Sequence, residues 1–172
     1  MKKAASIFLR TDITPTDVGN LINWMKDPYV TRYLNEDGRV GEQLVHLART
    51  APAPLLTCHF NQQGRFFMVS READSIGFVK LKQQEPGSWE IVFAIGERTL
   101  WGNGYGSQAV RAAQARVFLE WRARKLRAKI YHGNIRSVGT VRNCGFREEQ
   151  RLETLSCYSI TKEEYFTAMG CG

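Results

Sequence analysis

The spacing of apolar residues along this chain changes between a period of two and a period of three to four. Period-two alternation predicts strands over residues 75–83 and 89–95. Shorter β-type runs predict further strands over residues 3–10, 55–60, 66–70, 128–131 and 155–160. We expect the 55–60 and 66–70 strands to form a hairpin, because residues 61–64 between them have turn composition and end in glycine.

Helical periodicity predicts six segments between and around these strands. Thr14 and Pro15 provide a cap and a first-turn proline for a helix that ends at the Asp27–Pro28 break. The other helices are expected over residues 29–34, 42–50, 106–121, 135–143 and 161–169. Because no internal repeat, low-complexity tract or linker interrupts this order, we expect one mixed α/β domain over residues 1–172.

Composition and charge narrow the class of protein. The hydrophobic fraction of 43% and the charged fraction of 24% are ordinary for a soluble globular protein. No apolar run approaches the length of a bilayer span and no signal-peptide pattern is present, so we expect a cytoplasmic protein without a membrane partner. The net charge is +7, with basic residues dense over residues 111–129. A solvated helix face is favoured over a nucleic-acid groove, which usually also displays aromatic side chains.

The cysteines lack the spacing of a metal site. Cys58, Cys144, Cys157 and Cys171 include no Cys-x-x-Cys pair, and the three histidines are scattered. We therefore expect no metal and reduced thiols, which suit a reducing compartment. A cysteine nucleophile stays open as an alternative, although buried, inert thiols are favoured for Cys144 and Cys157.

A glycine-rich segment follows the strand expected over residues 89–95. In LWGNGYGSQAVR, residues 100–111, the glycines Gly102, Gly104 and Gly106 directly precede a helix. Glycine lets the backbone approach a ligand closely, and the first N–H groups of a helix lack intrahelical acceptors. The segment therefore predicts either a phosphate-binding loop or a tight strand-to-helix turn. It has neither the Gly-Lys-Ser/Thr of nucleotide hydrolases nor the dinucleotide-binding spacing.

The segments flanking this loop carry a family resemblance. SWEIVFAI precedes the loop, and a long helix, a strand and NIRSVGTVRNCGF follow it. This order resembles the acetyl-CoA-binding core of the GNAT superfamily of N-acetyltransferases over about residues 76–166. Trp-Gly-x-Gly-Tyr at residues 101–105, Asn-x-x-Ser at 134–137 and Gly-Phe at 145–146 are similar to the Rim-type branch. That branch acetylates amino groups of ribosomal proteins and many other amines.

The resemblance implies a fold and an activity. The fold is α/β (α+β), with a mixed central sheet of about six to seven strands, flanked by helices and splayed near acetyl-CoA. The activity is direct transfer of an acetyl group from acetyl-CoA to a primary amine, either a protein N-terminus or a small molecule. The alternative is a non-catalytic module of the same fold that binds CoA or docks on RNA or the ribosome. We expect a monomer or a homodimer.

The resemblance also implies where the two substrates lie. The backbone of Phe93, Ala94 and Ile95 would pair with the pantetheine amides like an added strand. Asn134 would hydrogen-bond the pantetheine arm, or cap its own helix instead. The pyrophosphate would contact the loop residues Trp101, Gly102, Asn103, Gly104, Tyr105, Gly106 and Ser107. The acceptor would lie near Trp24, Tyr29, Tyr33 and Leu34, for each of which core packing is the alternative.

An amine acceptor needs a group that removes a proton. A lysine-type amine has a pKa of about 10.4 and an α-amino group about 8, so most acceptor molecules arrive protonated. The resemblance implies Glu90 as the first candidate base and Glu153 as the second. A solvated surface carboxylate is the alternative for both.

The proton donor to the departing thiolate is less defined. In much of the family a tyrosine four residues before the Gly-Phe glycine has this role, and Val141 stands there in this chain. Ser137 is the substitute that the resemblance suggests, unless it only satisfies backbone donors at a helix start. Tyr158 and His132 are weaker candidates. An acid is also dispensable in principle, because a thiol has a pKa near only about 8.5.

Overall fold

The strands form a single sheet. The computed structural model describes residues 5–34 and 38–170. Its strands are β1 (Ile7–Arg10), β2 (Arg65–Arg71), β3 (Asp74–Glu85), β4 (Ser88–Ile95), β5 (Lys125–Tyr131), β6 (Arg147–Arg151) and β7 (Leu155–Thr161). They lie in the order β1-β2-β3-β4-β5-β7-β6. This is the mixed, helix-flanked sheet that the sequence implied.

The helices occupy both faces of this sheet. They are α1 (Pro15–Lys26), α2 (Pro28–Thr31), α3 (Val40–Thr50), α4 (Leu56–Phe60), α5 (Tyr105–Ala115), α6 (Ile135–Asn143) and α7 (Lys162–Ala168). The predicted cap of α1 is confirmed: the Thr14 hydroxyl accepts the Asp17 N–H at 3.2 Å, and the Asp17 carboxylate accepts the Thr14 N–H at 2.8 Å. This reciprocal pair satisfies donors that a helix start otherwise leaves open.

Two apolar cores lie on opposite faces of the sheet. One core lies on the face that α5 covers, and the other on the face that α1 and α3 cover; we call these the α5 face and the α1 face. β4 contributes side chains to both cores, because successive residues of a strand point to opposite faces of the sheet. Ile91 and Phe93 pack on the α5 face, and Val92 and Ala94 on the α1 face. The side chain of Glu90 therefore belongs to the α1 face.

β4 and β5 separate along most of their length. Among the described strands they are the one parallel pair, and they are paired only at Ser88 with Lys125, Trp89 with Leu126, and Glu90 with Arg127. Beyond Glu90, residues 91–95 of β4 have no partner in β5, so the backbone groups on that edge face an opening that we call the gap. The gap is the splay that the family resemblance implied.

Two elements differ from their predictions. Residues 55–60 are not a strand: a 3₁₀ turn at Ala53–Leu55 leads directly into the helix α4. Pro54 lies in that 3₁₀ turn, and its fixed backbone angle favours the turn over an extended strand. β2 therefore forms its hairpin with β3 instead. The strand β6 was missed, because all five of its residues are exposed and no apolar alternation marks them.

Other boundaries shift by smaller amounts. The helix predicted over 106–121 is α-helical to Ala115 and then continues as a π-helical turn, Arg116–Glu120. The first strand begins at Ile7, and residues 3 and 4 of its predicted range lie outside the described residues, as do residues 35–37 of the predicted loop and Cys171. No helix in the described ranges is both long and apolar enough to span a bilayer.

Candidate active site

The glycine loop takes backbone angles that require glycine at two positions. Gly102 has a φ of +80° and Gly104 a φ of +82°, and a Cβ built on either would meet no atom within 4 Å. The loop surface at these positions is therefore open. Gly106 is different, because it lies inside α5 and its Cβ would touch Thr140 and Phe93 at ordinary distances of 3.6–4.0 Å. Conformation requires glycine at 102 and 104 but not at 106.

The N–H groups of this loop are available to a ligand. The first hydrogen bond that enters α5 joins the Gln108 N–H to the Gly104 carbonyl at 3.1 Å. Among the described residues, none accepts a hydrogen bond from the N–H groups of residues 102–107, and no side chain caps the helix. Because these donors lie at the positive end of the helix dipole, they suit an anionic group. The pyrophosphate of CoA fits this arrangement.

Trp101 fixes the loop to the end of β4. Its indole N–H donates to the Ile95 carbonyl at 2.7 Å. Of the three residues expected to pair with pantetheine, Ile95 therefore has its carbonyl already engaged and retains its N–H. Phe93 borders the gap beside it. The Ala94 carbonyl instead points to β3, only 2.2 Å from where a Cβ on Gly77 would lie, so the expected pairing of Ala94 with pantetheine does not fit its backbone direction. The loop and the unpaired edge of β4 are thus joined by a direct hydrogen bond.

A cleft of about 600 Å³ opens beside the loop and contains arginines that the sequence did not single out. It is lined by Tyr29, Arg98, Thr99, Trp101 and Arg136. The Arg136 guanidinium lies 4.6 Å from the centre of the Trp101 ring, and that of Arg98 lies 4.0 Å from the centre of the Tyr29 ring. These cation–π contacts hold both guanidinium groups in the cleft that Trp101 of the loop also lines. Arg98 also lies 3.6 Å from the Asp27 carboxylate. No local sequence pattern marks the two arginines, because the stacking partners come from separate elements.

Glu90 lies at the closed end of the gap. It is the last β4 residue paired with β5, and its side chain is 15% exposed. Its Oε2 atom lies 3.1 Å from the Lys129 Nζ atom. The ion pair holds the carboxylate on the α1 face, where the strands begin to separate. A carboxylate in this position can accept a proton from a group that enters the gap.

Glu153 lies in a different environment. It is exposed in the turn between β6 and β7, next to Thr154, whose carbonyl accepts the His132 N–H at 3.1 Å. The Glu153 carboxylate has no hydrogen bond or ion pair with any residue in the described ranges. It is therefore a solvated carboxylate at the rim of the site, whereas Glu90 is held inside it.

The structure constrains the candidates for the proton donor. Val141 is completely buried, so no hydroxyl is available from the usual tyrosine position. The Asn134 side chain caps α6 by accepting the Ser137 N–H at 3.3 Å, which leaves the amide nitrogen of Asn134 for other partners. Ser137 itself is half-buried at the start of α6.

The two weaker acid candidates are engaged elsewhere. The His132 Nε2 atom lies 3.1 Å from the hydroxyl of Ser156, which donates to Glu148 at 3.0 Å. This chain directs the imidazole towards β7 and away from β4. Tyr158 is a buried residue of the core on the α5 face. Ser137 is thus the candidate whose placement best fits the role, which stays a prediction.

The four residues expected near the acceptor fall into two groups. Trp24 is only 4% exposed, donates to Glu97 at 3.0 Å, and packs so closely on Gly96 that a Cβ there would lie 2.0 Å from the indole. Leu34 also packs against the core on the α1 face. Tyr29 is 58% exposed in the cleft. Tyr33 lies beyond the end of β5, with its ring centre 6.3 Å from that of Tyr131.

This division favours packing as the role of Trp24 and Leu34. The two tyrosines are placed to contact an acceptor, a role that stays a prediction.

The described part of the chain contains three of the thiols, Cys58, Cys144 and Cys157. Cys144 is buried, its thiol donates to the Ser107 carbonyl at 3.5 Å, and burial raises the pKa of that thiol. It therefore stays protonated at neutral pH. Cys58 is exposed, and Cys157 is half-buried on β7 opposite Lys129. Within the described ranges no three His, Cys, Asp or Glu side chains are grouped to hold a metal ion.

Comparisons with known proteins agree with this geometry. The family model of the acetyltransferase (GNAT) domain matches residues 7–147. An uncharacterized N-acetyltransferase, p20, from Bacillus licheniformis is 25% identical over 167 residues, covering 87% of this chain and 89% of that protein.

Solved structures show the same fold. The spermidine N-acetyltransferase of Vibrio cholerae, in complex with CoA and spermine, has a TM-score of 0.77 at 19% identity, covering 94% of this chain and 98% of the other. The aminoglycoside acetyltransferase AAC(6')-Ib, in complex with coenzyme A, has a TM-score of 0.77 at 15% identity, covering 95% and 99%. The chain belongs to the GNAT family and is an acetyl-CoA-dependent acetyltransferase.

Proposed function

We propose that this acetyltransferase moves the acetyl group directly from acetyl-CoA to a primary amine, either on a small molecule or at a protein N-terminus. One observation carries the proposal: the open N–H groups of the glycine loop lead through the Trp101–Ile95 hydrogen bond to a gap that ends at a carboxylate, Glu90. A phosphate site, an extended slot and a proton acceptor thus follow one another in the order that amine acetylation requires.

Separate groups of residues bind the cofactor and transfer protons. The loop from Gly102 to Ser107 holds the pyrophosphate, and the free edge of β4 holds the pantetheine arm together with the Asn134 amide. A backbone N–H on that edge polarises the thioester carbonyl. Glu90 removes the ammonium proton from the acceptor, and Ser137 returns a proton to the thiolate. Acetyl-CoA supplies the activated acyl group.

Amines named for two relatives of the same fold support the acceptor class. One is named for spermidine and the other for aminoglycosides, and both groups of compounds carry primary amines. The Trp-Gly-x-Gly-Tyr and Asn-x-x-Ser segments support placing this chain in the Rim-type branch.

A CoA-binding module without catalysis is the second candidate. The buried Val141 favours it, because the usual proton donor is missing. Initial-rate kinetics separate the candidates. With acetyl-CoA and a panel of amines, direct transfer predicts amine-dependent thiol release with intersecting double-reciprocal lines. Parallel lines would instead indicate an acyl-enzyme. CoA binding without thiol release from any amine would indicate the module.

A further inference from the structure

Cations surround the carboxylate at the closed end of the gap. Glu90 is paired in register with Lys82 of β3 and Arg127 of β5, and it forms an ion pair with Lys129. All three cations lie on the α1 face with Glu90, because their strand neighbours Leu81, Leu126 and Ile130 pack on the opposite face. Glu90 and Lys129 offset each other's charge, so Lys82 and Arg127 are the further cations where the acceptor amine must arrive.

Two other carboxylates of this region offset the charge of Arg127 but not that of Lys82. Glu149 is bound by Lys125 and lies 3.5 Å from Arg127, and Glu85 lies 3.7 Å from Arg127. Both are therefore engaged with basic groups at the end of β5 away from the gap opening. Lys82, in contrast, has no ion pair with a carboxylate of the described residues.

The described residues above the gap carry charges of both signs. Glu97 accepts the Trp24 indole N–H, and Glu153 is exposed at the rim. The Arg32 guanidinium lies 5.3 Å from the centre of the Tyr33 ring. Among the described residues, Lys82 is thus the cation beside Glu90 that no carboxylate offsets.

The charge of Lys82 selects between acceptor amines. A polycation such as a polyamine would bring further positive charges against Lys82, whereas an anionic group beside the amine would be attracted to it. Surrounding cations also disfavour the ammonium form of a bound amine and so ease its deprotonation. We propose that the acceptor is a primary amine with a carboxylate or phosphate a few bonds from its nitrogen. This inference rests on the proposed function.

Matched acceptors test the inference. Comparing glucosamine 6-phosphate with glucosamine measures the effect of a phosphate, and comparing β-alanine with its amide measures the effect of a carboxylate. Spermidine and kanamycin represent polycations. With rates compared at equal concentrations of neutral amine, we expect kcat/KM at least tenfold higher for the anionic member of one or both pairs. We expect spermidine and kanamycin to fall below the uncharged members. The pair with the larger ratio identifies the anionic group.

A charge-removing variant adds a second readout. Lys82→Gln is expected to raise KM for the preferred anionic acceptor about tenfold more than it raises KM for the uncharged partner. Lys162→Gln removes the same charge from α7, beside the core on the α5 face. It is expected to leave KM unchanged for both the anionic acceptor and its uncharged partner. Preference for spermidine or kanamycin, or equal effects of Lys82→Gln on both members of a pair, would overturn the inference while leaving amine acetylation intact. Absence of acetylation of every amine would overturn the proposed function itself.

Discussion

Gly104 offers the sharpest test of the phosphate loop. It precedes α5 with a φ of +82°, and a Cβ there would project into open space. Alanine at this position must adopt left-handed angles, which cost about 1–2 kcal/mol. Its methyl group would also occupy the surface where the pyrophosphate meets the N–H groups. Gly104→Ala is therefore expected to weaken CoA binding and lower stability modestly, and a larger residue such as valine would add further strain.

The magnitude follows from the hydrogen bonds at risk. A hydrogen bond to a charged group contributes about 1.5–3 kcal/mol, and about 1.4 kcal/mol corresponds to a tenfold change in affinity. Loss of one such bond predicts a Kd for CoA at least about tenfold higher, and loss of two predicts a hundredfold or more. The predicted loss of stability is only about 1–2 kcal/mol, so the protein stays folded.

Two matched variants separate backbone strain from loss of the site. Gly170 has a φ of +75° and no atom within 4 Å of its Cβ position, so Gly170→Ala imposes similar strain away from the loop. Gly19→Ala adds a methyl group inside α1, where its Cβ position meets no atom within 4 Å and alanine favours helix by about 1 kcal/mol. Calorimetric titration with CoA is expected to show an unchanged Kd for both. A folded Gly104→Ala variant with a Kd within twofold of the parent would refute the phosphate assignment.

Three further predictions concern the proton acceptor, a buried ion pair and the thiols. Glu90→Gln is expected to lower turnover at neutral pH by roughly 10²–10⁴-fold, with partial recovery at high pH because more amine arrives neutral; a larger effect of Glu153→Gln would transfer the role. Asp17→Asn is expected to cost about 3 kcal/mol in urea unfolding, because it breaks the 2.7 Å contact with Arg10. A variant with all four cysteines changed to serine is expected to keep turnover and form no acyl-protein, but to lose stability at Cys144; lost turnover in a folded variant would support a thiol nucleophile.

The Asp17 prediction includes a pH dependence with a definite sign. Burial alone would raise the pKa of Asp17, but hydrogen bonds from Arg10, Ser75 and Thr14 together lower it below the ordinary value. The stabilisation is therefore complete above the unfolded pKa of about 3.9 and is lost as the pH falls through the lower native pKa. The free energy of unfolding of the parent protein is expected to fall steeply as the pH is lowered, and that of Asp17→Asn to fall less. An equal fall for both proteins would contradict this account.

Capping residues in the sequence correctly predicted where two helices begin or end. The predicted bounds of α6, residues 135–143, are those of the structure, because Asn134 caps its start and Gly145 follows its end with a φ of +87°. The Thr14–Pro15 start of α1 is confirmed for the same reason. Caps depend on neighbouring residues, so sequence alone reveals them.

Elements that depend on distant partners were harder to predict. β6 is an exposed edge strand whose residues become a strand by pairing with β7, and its own pattern resembles a polar loop. Residues 55–60 have β-type composition, but tertiary packing buries Leu56 in the core on the α1 face as part of a helix. Composition cannot decide between these outcomes.

The same limit applies to the site. The glycine loop and Glu90 could be named from contiguous motifs and the family resemblance, although their roles stay predictions. Arg98, Arg136 and Lys129 could not, because each acquires its position through a contact between separate elements. The ion pair of Glu90 with Lys129 depends on the register across the β4–β5 gap, which no motif encodes.

Direct acetyl transfer to an amine is the central claim, and product stoichiometry tests it most directly. The protein is incubated with ¹³C-acetyl-CoA and the amine panel, and mass spectrometry quantifies acetylated amine, free CoA and intact protein. The account predicts one labelled N-acetyl product for each CoA released, with no label on the protein. Thiol release without an acetylated amine, or label retained on the protein, would contradict it.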